Sequence, residues 1–137
     1  MKFRPLRLAS VTDPTPVEPI AVPEEMRAVI FDAPGGADAL RVTATPTPAP
    51  VLSEVLVRVI AAGVNPIDAK TRAGAGLSGA IDGYPSTLGF DFSGVVVASP
   101  YESHPFPAGT EVFGMAAFPR SGGSYAEYVV APTLSVA

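Results

Sequence analysis

The chain has 137 residues, of which 47% are hydrophobic and 16% charged, with a net charge of −4, 13 glycines, 16 prolines and no cysteine. This length suits one domain with its own core, and so much proline and glycine favours short strands and many turns over helices. The lack of cysteine excludes disulfides, thiolate nucleophiles and cysteine-ligated zinc, and a negative charge without a basic patch disfavours nucleic-acid partners.

Membrane and secretory signals are missing from the sequence. No apolar run approaches the roughly 20 residues of a membrane span. The basic start of the chain lacks the apolar segment of a secretory signal. We therefore expect a cytoplasmic protein that does not bind a membrane.

Residues 1–25 are expected to form a proline-rich N-terminal arm or leader. Its prolines each lack a backbone donor, and residues 11–23 show no hydrophobic period. The composition fits a disordered leader and an ordered strand packed on the domain equally well. The compact domain is expected to span residues 26–137.

Six short strands are predicted in this domain, separated by turn signals. They are residues 26–31, 40–45, 54–62, 92–98, 110–115 and 125–131. The second alternates apolar and polar residues and is the expected hairpin partner of the first, while the β-branched run in the third makes it the longest. Many short strands with turns between them suggest a barrel or sandwich.

One short helix is predicted directly after the longest strand. Pro66 suits a first helical position, Asn65 can cap the helix, and residues 67–73 are good helix formers up to Gly74. The spacing of Asn65 and Asp68 is that of a capping box. On the residues alone, this structural role outweighs a catalytic one.

The segment from Gly74 to Gly79 has the glycine spacing of a dinucleotide-binding turn. Such a turn needs a strand before it and a helix after it, so that the helix N-terminus faces the pyrophosphate. Here a helix precedes it, and residues 82–85 break any helix that follows. The segment is better interpreted as a surface or active-site loop.

Other polar residues offer weaker signals. Asp91, between two phenylalanines, is either a general acid or base or a buried carboxylate held by backbone donors. His104, without a second histidine or a cysteine, cannot build a usual transition-metal site and is expected on a surface loop. Tyr84, Tyr125 and Tyr128 can each donate to a substrate carbonyl, but only Tyr84 lies in a loop, and strand tyrosines are more often structural.

Several motifs occur together in a recognisable order. They are Ala62–Asp68, Arg72 with Gly74, Pro85, Gly89–Val96 and Gly123–Tyr128. Together they resemble the N-terminal catalytic domain of the medium-chain dehydrogenase/reductase superfamily, with its zinc-independent quinone oxidoreductase branch the most similar. The resemblance covers about residues 26–137. It implies a mainly β, GroES-like, partly open barrel with one or two short helices, which forms one wall of a cleft opposite a nucleotide-binding Rossmann domain.

The resemblance also implies roles for individual residues. Asn65 and Asp68 become the candidate catalytic residues, and Asn65 would also contact the cofactor. Tyr84, Arg72 and Phe90 become the candidate substrate-binding residues. Asn65 and Phe90 stand where zinc-dependent relatives have cysteine and histidine ligands, so no zinc is expected.

The implied activity is hydride transfer from NADPH to a quinone or enone. The chain stops at Ala137 without its Rossmann domain, so it is expected to bind no cofactor tightly and to be inactive alone, and any homo-oligomer would belong to the longer parent. One alternative is a non-enzymatic β-barrel interaction module. Another is an enoyl reductase, or a zinc-type alcohol dehydrogenase relative that has lost its zinc.

Overall fold

The computed structural model describes residues 20–117 and 123–137. The helices and strands are β1 (Glu25–Phe31), β2 (Arg41–Pro46), β3 (Glu54–Ala62), α1 (Pro66–Arg72), β4 (Ser86–Thr87), β5 (Asp91–Ala98), β6 (Glu111–Met115) and β7 (Tyr128–Pro132). In the described residues, single turns of 3-10 helix lie at residues 37–39 and 78–80, between these elements, and at residues 133–135, after β7. Within the described ranges, no helix has the length and apolar character needed to cross a membrane.

The strands form two antiparallel sheets. One has the order β2-β1-β4 and the other the order β6-β5-β3-β7. β1 and β2 pair as the predicted hairpin, from Glu25 opposite Pro46 to Ile30 opposite Arg41. β3 is the longest strand, with nine residues, and lies between β5 and β7. The predicted mainly β fold with one short helix is therefore confirmed.

Two apolar clusters form the core of the described residues. Val55 and Val57 of β3 enter the first cluster, whereas Leu56 enters the second with Met26 and Ile30 of β1. Successive residues of a strand point to opposite faces of its sheet, so this half of β3 is buried on both faces. That explains its uninterrupted apolar run. The second cluster joins the two sheets.

The far half of β3 leaves the core and leads to the helix. The register with β5 shifts between Val59 and Ala61, and such a bulge bends and twists a strand. Ile60 is accordingly 65% exposed. Just past the strand, the Gly63 N–H donates to the Asp91 carbonyl at 3.0 Å. The bend thus brings the start of α1 to the start of β5.

One predicted strand starts three residues too early, and one strand was not predicted. The strand expected at residues 125–131 starts at Tyr128, because the residues before it pair with β1, where Ala126 forms an isolated bridge to Ala28. This segment therefore passes from one sheet to the other. The two-residue strand β4 was not predicted, because it is too short to show a hydrophobic period.

The prediction that His104 lies on the surface is also wrong. Its side chain is 4% exposed. The loop folds back so that the rings of Tyr101 and Phe106 contact the imidazole, with centroids at 5.1 and 5.9 Å. Its neighbours in sequence give no sign of this burial.

The predicted arm lies largely outside the described residues. Of its residues 1–25, only 20–25 are described. Ile20 packs against the second apolar cluster. The division into an arm and a domain stays a prediction.

Candidate active site

The candidate site is built around the first turn of α1. Asn65 is the N-cap residue, with extended backbone angles, and Pro66 follows it at the first helical position. Proline there has no N–H to leave unpaired. Asp68, at the third helical position, completes the predicted capping box, which is confirmed.

The Asp68 carboxylate is enclosed by backbone donors. Its side chain is 2% exposed. Oδ2 accepts from the Asn65 N–H at 2.8 Å, and Oδ1 accepts from the Gly89 N–H at 3.2 Å. Asp68 therefore fastens the helix start to the loop before β5. This geometry favours a positioning role, and its predicted catalytic role stays a prediction.

The Asn65 carboxamide is turned towards β5. Its Nδ2 donates to Asp91 Oδ2 at 2.7 Å, a short bond of the charge-assisted kind. The carboxylate also fixes which end of the amide is nitrogen, since an oxygen facing it would be repelled. In the other half of the capping box, the Asn65 side chain would accept from the Asp68 N–H. This half is weaker, because the carboxamide faces that N–H without forming a full cap hydrogen bond.

Two glycines allow these groups to approach one another. Gly89 has a φ of +94°, in the left-handed region that favours glycine. A Cβ on Gly63 would lie 3.0 Å from Asp91 Cβ and 3.6 Å from Asn65 Nδ2. A larger residue at position 63 would therefore crowd the bond between Asn65 and Asp91.

A second segment, just before β7, packs against the site. Ser124 is 1% exposed, and its Oγ donates to the Asp91 carbonyl at 2.8 Å. Its N–H donates to the Gly89 carbonyl at 2.9 Å. The next residue, Tyr125, places its ring beside Gly89. We call Asn65, Asp68, Asp91, Ser124 and Tyr125 the Asn65 cluster.

The phenol of Tyr125 has unusual surroundings. Burial raises the pKa of Tyr125 to about 12, and the negative charges of Asp68 and Asp91 also favour the neutral form. Its hydroxyl oxygen is inaccessible to solvent and has no well-aligned hydrogen-bond partner among the described residues. The phenol therefore keeps its proton to a higher pH than an ordinary tyrosine.

The three residues expected to bind substrate lie in different environments. Arg72 Nε donates to the Gly35 carbonyl at 3.3 Å, and the Gly35 N–H donates back to the Arg72 carbonyl at 2.8 Å. Tyr84 is 41% exposed and packs edge-on against Phe31, with ring centroids at 5.3 Å. Phe90 is buried, at 8% exposure. None of these observations tests a role in substrate binding.

The Asn65 carboxamide has a hydrogen-bond donor that this arrangement leaves free. A carboxamide nitrogen carries two hydrogens, and Asp91 accepts only one of them. The other has no partner among residues 20–117 and 123–137, and Asn65 is partly exposed. In the described part of the chain, no three His, Cys, Asp or Glu side chains are grouped so as to hold a metal ion. The site can thus offer one oriented N–H donor.

The sequence identified three of the five residues of this cluster. Asn65, Asp68 and Asp91 were singled out from local patterns, whereas Ser124 and Tyr125 were not placed with them. Their contacts with residues 89 and 91 join positions far apart in the chain, and no local signal predicts such contacts. Only the resemblance to a family put both segments in one domain.

The chain is similar to several proteins. Residues 52–137 match the family model of the alcohol dehydrogenase GroES-like domain. The trans-enoyl reductase pgmF of Aspergillus terreus is 43% identical over 84 residues, which cover 58% of this chain and 24% of that protein. The chloroplastic NADPH-dependent alkenal/one oxidoreductase of Arabidopsis thaliana is 32% identical over 114 residues, covering 79% and 29% of the two chains.

A solved structure extends the likeness to three dimensions. The quinone oxidoreductase from Coxiella burnetii matches 82% of this chain with a TM-score of 0.77 and 39% identity. The match takes up 36% of that longer chain. This chain therefore spans between a quarter and about a third of the length of these relatives.

Proposed function

Since the chain belongs to the alcohol dehydrogenase GroES-like domain family of the medium-chain dehydrogenase/reductase superfamily, we propose that it forms the substrate side of a hydride-transfer cleft. The reaction is the reduction of a quinone or enone by NADPH, without zinc. The other side of the cleft is a nucleotide-binding domain joined to this one. The observation that carries the proposal is the Asn65 carboxamide, which Asp91 orients and which has one N–H left to donate.

The names of the relatives support this acceptor class. They are an enoyl reductase, an alkenal/one oxidoreductase and a quinone oxidoreductase. The acceptors share a reacting bond conjugated to a carbonyl. As such a bond accepts a hydride, negative charge develops on the carbonyl oxygen. A pre-oriented N–H donor at that oxygen stabilises the transition state more than the ground state.

Each residue of the site has a part in this scheme. Asn65 donates its second N–H to the substrate carbonyl or to the nicotinamide carboxamide. Asp91 and Asp68 hold Asn65 in place, and Arg72 anchors the far end of α1. Tyr84, exposed in its loop, borders the substrate, and Phe90 contributes apolar surface beneath it. NADPH supplies the hydride when it is bound.

The residues of this domain fit only one end of that cofactor. Asn65 suits the nicotinamide end, which presents a carboxamide. The turn at residues 74–79 follows α1 and leads only to a single 3-10 turn, so it does not have the strand-turn-helix form that cradles a pyrophosphate. We therefore assign the phosphates to the nucleotide-binding domain.

The donor set does not fit a catalytic zinc. Such sites use cysteine, histidine and carboxylate ligands, and this chain has no cysteine and one histidine. That histidine, His104, already binds Thr133 and Phe106. The carboxylates of Asp68 and Asp91 already accept protein N–H groups. We derive no step through a metal.

The test uses the full-length protein that carries this domain and its nucleotide-binding domain. NADPH consumption is measured with a quinone, an alkenone and an enoyl thioester. We expect turnover with at least one of them, and a loss of about 100-fold in kcat for Asn65→Ala, the size typical of removing one such donor.

A matched variant separates the donor from the cap. Serine caps a helix about as well as asparagine, but it lacks the carboxamide. Asn65→Ser is expected to keep the helix cap, to lose the bond to Asp91 as Asn65→Ala does, and to lose turnover to the same extent. Wild-type turnover in Asn65→Ser would show that Asn65 is only a cap. A protein that binds a partner protein but reduces none of the three acceptors would favour the interaction module.

A further inference from the structure

Tyr125 is held rigidly beside the site by its backbone. Its N–H donates to the Leu88 carbonyl at 3.0 Å, and its carbonyl accepts from the Val29 N–H at 2.8 Å. The residue is therefore tied both to the loop before β5 and to β1. Its ring has little freedom to move away from that loop.

The ring lies against the peptide that Asp68 binds. A Cβ on Gly89 would lie 2.6 Å from Tyr125 Cδ1 and 2.9 Å from Cε1, closer than carbon atoms approach in proteins. The ring thus occupies the space that the missing side chain leaves. The N–H of the same Gly89 donates to Asp68 Oδ1. The ring therefore packs on the same peptide whose N–H holds the enclosed carboxylate.

The surroundings of the hydroxyl decide between two roles. The oxygen has no exposed surface, so a substrate in the cleft does not reach it without rearrangement. Burial, followed by the charge of Asp68 and hydrogen bonding with Asp68, raises the pKa of the phenol, although the hydroxyl has no aligned partner among the described residues. A buried donor beside a carboxylate has its best available acceptor there.

Asp68 has room for this donor. Each carboxylate oxygen carries two lone pairs, and Oδ1 and Oδ2 each accept one backbone N–H, from Gly89 and Asn65. We infer that a small shift of the ring brings the hydroxyl oxygen within hydrogen-bond distance of the carboxylate. Three donors then fix Asp68 in the manner of a fully satisfied buried charge.

We propose that Tyr125 is a positioning residue of the site, which donates its hydroxyl to Asp68 and thereby fixes the orientation of the Asn65 carboxamide. The link runs from Tyr125 to Asp68, from Asp68 to the backbone N–H of Asn65, and from Asn65 Nδ2 to Asp91. Its meaning for catalysis rests on the proposed function. The structural link itself does not.

The sequence offers an unusually clean probe of this link. Asn65 is the only asparagine in the chain, and there is no glutamine. An amide spectrum of the nitrogen-labelled protein therefore contains a single side-chain NH2 pair, which reports on Asn65 alone. Tyr125→Phe keeps the ring and removes only the hydroxyl.

In the 137-residue chain, Tyr125→Phe is expected to shift this NH2 pair and to speed its exchange with water. Tyr101→Phe, which removes a hydroxyl from an exposed ring far from the cluster, is the matched control and should leave the pair unchanged. An unchanged pair in a folded Tyr125→Phe protein would overturn the proposal.

A second measurement covers the case in which the variant does not fold. In the unaltered chain, the hydroxyl proton of Tyr125 should exchange with water much more slowly than that of Tyr101. Equally fast exchange of the two protons would also overturn the proposal.

The catalytic consequence is measured separately. In the full-length protein, Tyr125→Phe is expected to lower kcat about tenfold, because a small misplacement of a catalytic group is costly, and to leave KM nearly unchanged. If the NH2 pair shifts but the wild-type protein reduces no acceptor, the proposed function fails and the positioning role stands. If the wild-type protein is active and the pair does not shift, the positioning role fails and the proposed function stands.

Discussion

Two hydrogen-bonded clusters, each built around a buried polar side chain, His104 in one and Asp68 in the other, differ in how fully their hydrogen bonds are used. The His104 cluster comprises His104, Thr133, Ser53, Ser99 and Phe106. The Phe106 N–H donates to His104 Nδ1 at 3.1 Å, which assigns the ring proton to Nε2 and thus the bond to Thr133 Oγ1 at 2.9 Å. The Thr133 hydroxyl in turn donates to the Ser53 carbonyl at 3.0 Å. Each of these donors has its acceptor.

The Asn65 cluster is different, because one of its donors is left over. This donor is the second N–H of Asn65, at the partly exposed end of the cluster. No partner for it lies among the described residues. A satisfied buried network rigidifies a fold, whereas leftover donors call for an explanation. We therefore interpret the His104 cluster as structural and the Asn65 cluster as functional.

The largest expected effect is that of Asp68→Ala. It leaves the N–H groups of Asn65 and Gly89 without their acceptor, and we expect the free energy of unfolding to fall by about 3 kcal/mol. Urea unfolding of the 137-residue chain measures it. Asp82→Ala, at an exposed loop position, is the control and should stay within about 0.5 kcal/mol of wild type. A loss for Asp68→Ala as small as that of the control would mean that the carboxylate does not hold the helix.

His104→Ala should cost about 2 kcal/mol, since it leaves the buried N–H of Phe106 without an acceptor. Because the two clusters are separate, we also expect the NH2 signals of Asn65 to keep their positions in His104→Ala. Urea unfolding and one amide spectrum of the same sample check both statements. Shifted Asn65 signals would mean that the clusters are coupled and that the division between them is wrong.

The smallest expected effect is a dependence on alkaline pH. The pKa of Tyr125 is raised in the folded chain to about 12 from an ordinary value of 10.0, so the unfolded chain loses the phenol proton first. The contribution of Tyr125 to stability is therefore fully present below pH 10 and is lost as the pH rises towards 12. Wild-type stability should fall more steeply over this window than that of Tyr125→Phe. Parallel curves for the two proteins would contradict the burial of the phenol.

The fold was largely predictable because its signals are local. The limits of β3, at Glu54 and Ala62, follow from one β-branched run, and the capping box follows from the residues at positions 65, 66 and 68. Such features depend on neighbours in sequence. The predicted start of β7 was wrong because residues 125–127 satisfy a strand pattern while pairing with a different sheet.

The site was less predictable for the same physical reason. The burial of His104 depends on Thr133 and that of Tyr125 on Gly89, and a single sequence does not show which distant residues meet. Asn65 and Asp68 were found because a helix start has a local code. No such local code marks the residues that contact them from distant parts of the chain.

The most direct test of the account is the rate of hydride transfer in a single turnover of the full-length protein. NADPH carrying deuterium in the transferred position is mixed with the best acceptor, for the wild type and for Asn65→Ser. We predict a primary isotope effect in both proteins and a transfer step about 100-fold slower in the folded Asn65→Ser protein. Equal transfer rates in the two proteins would contradict the claim that the Asn65 carboxamide acts in the reaction.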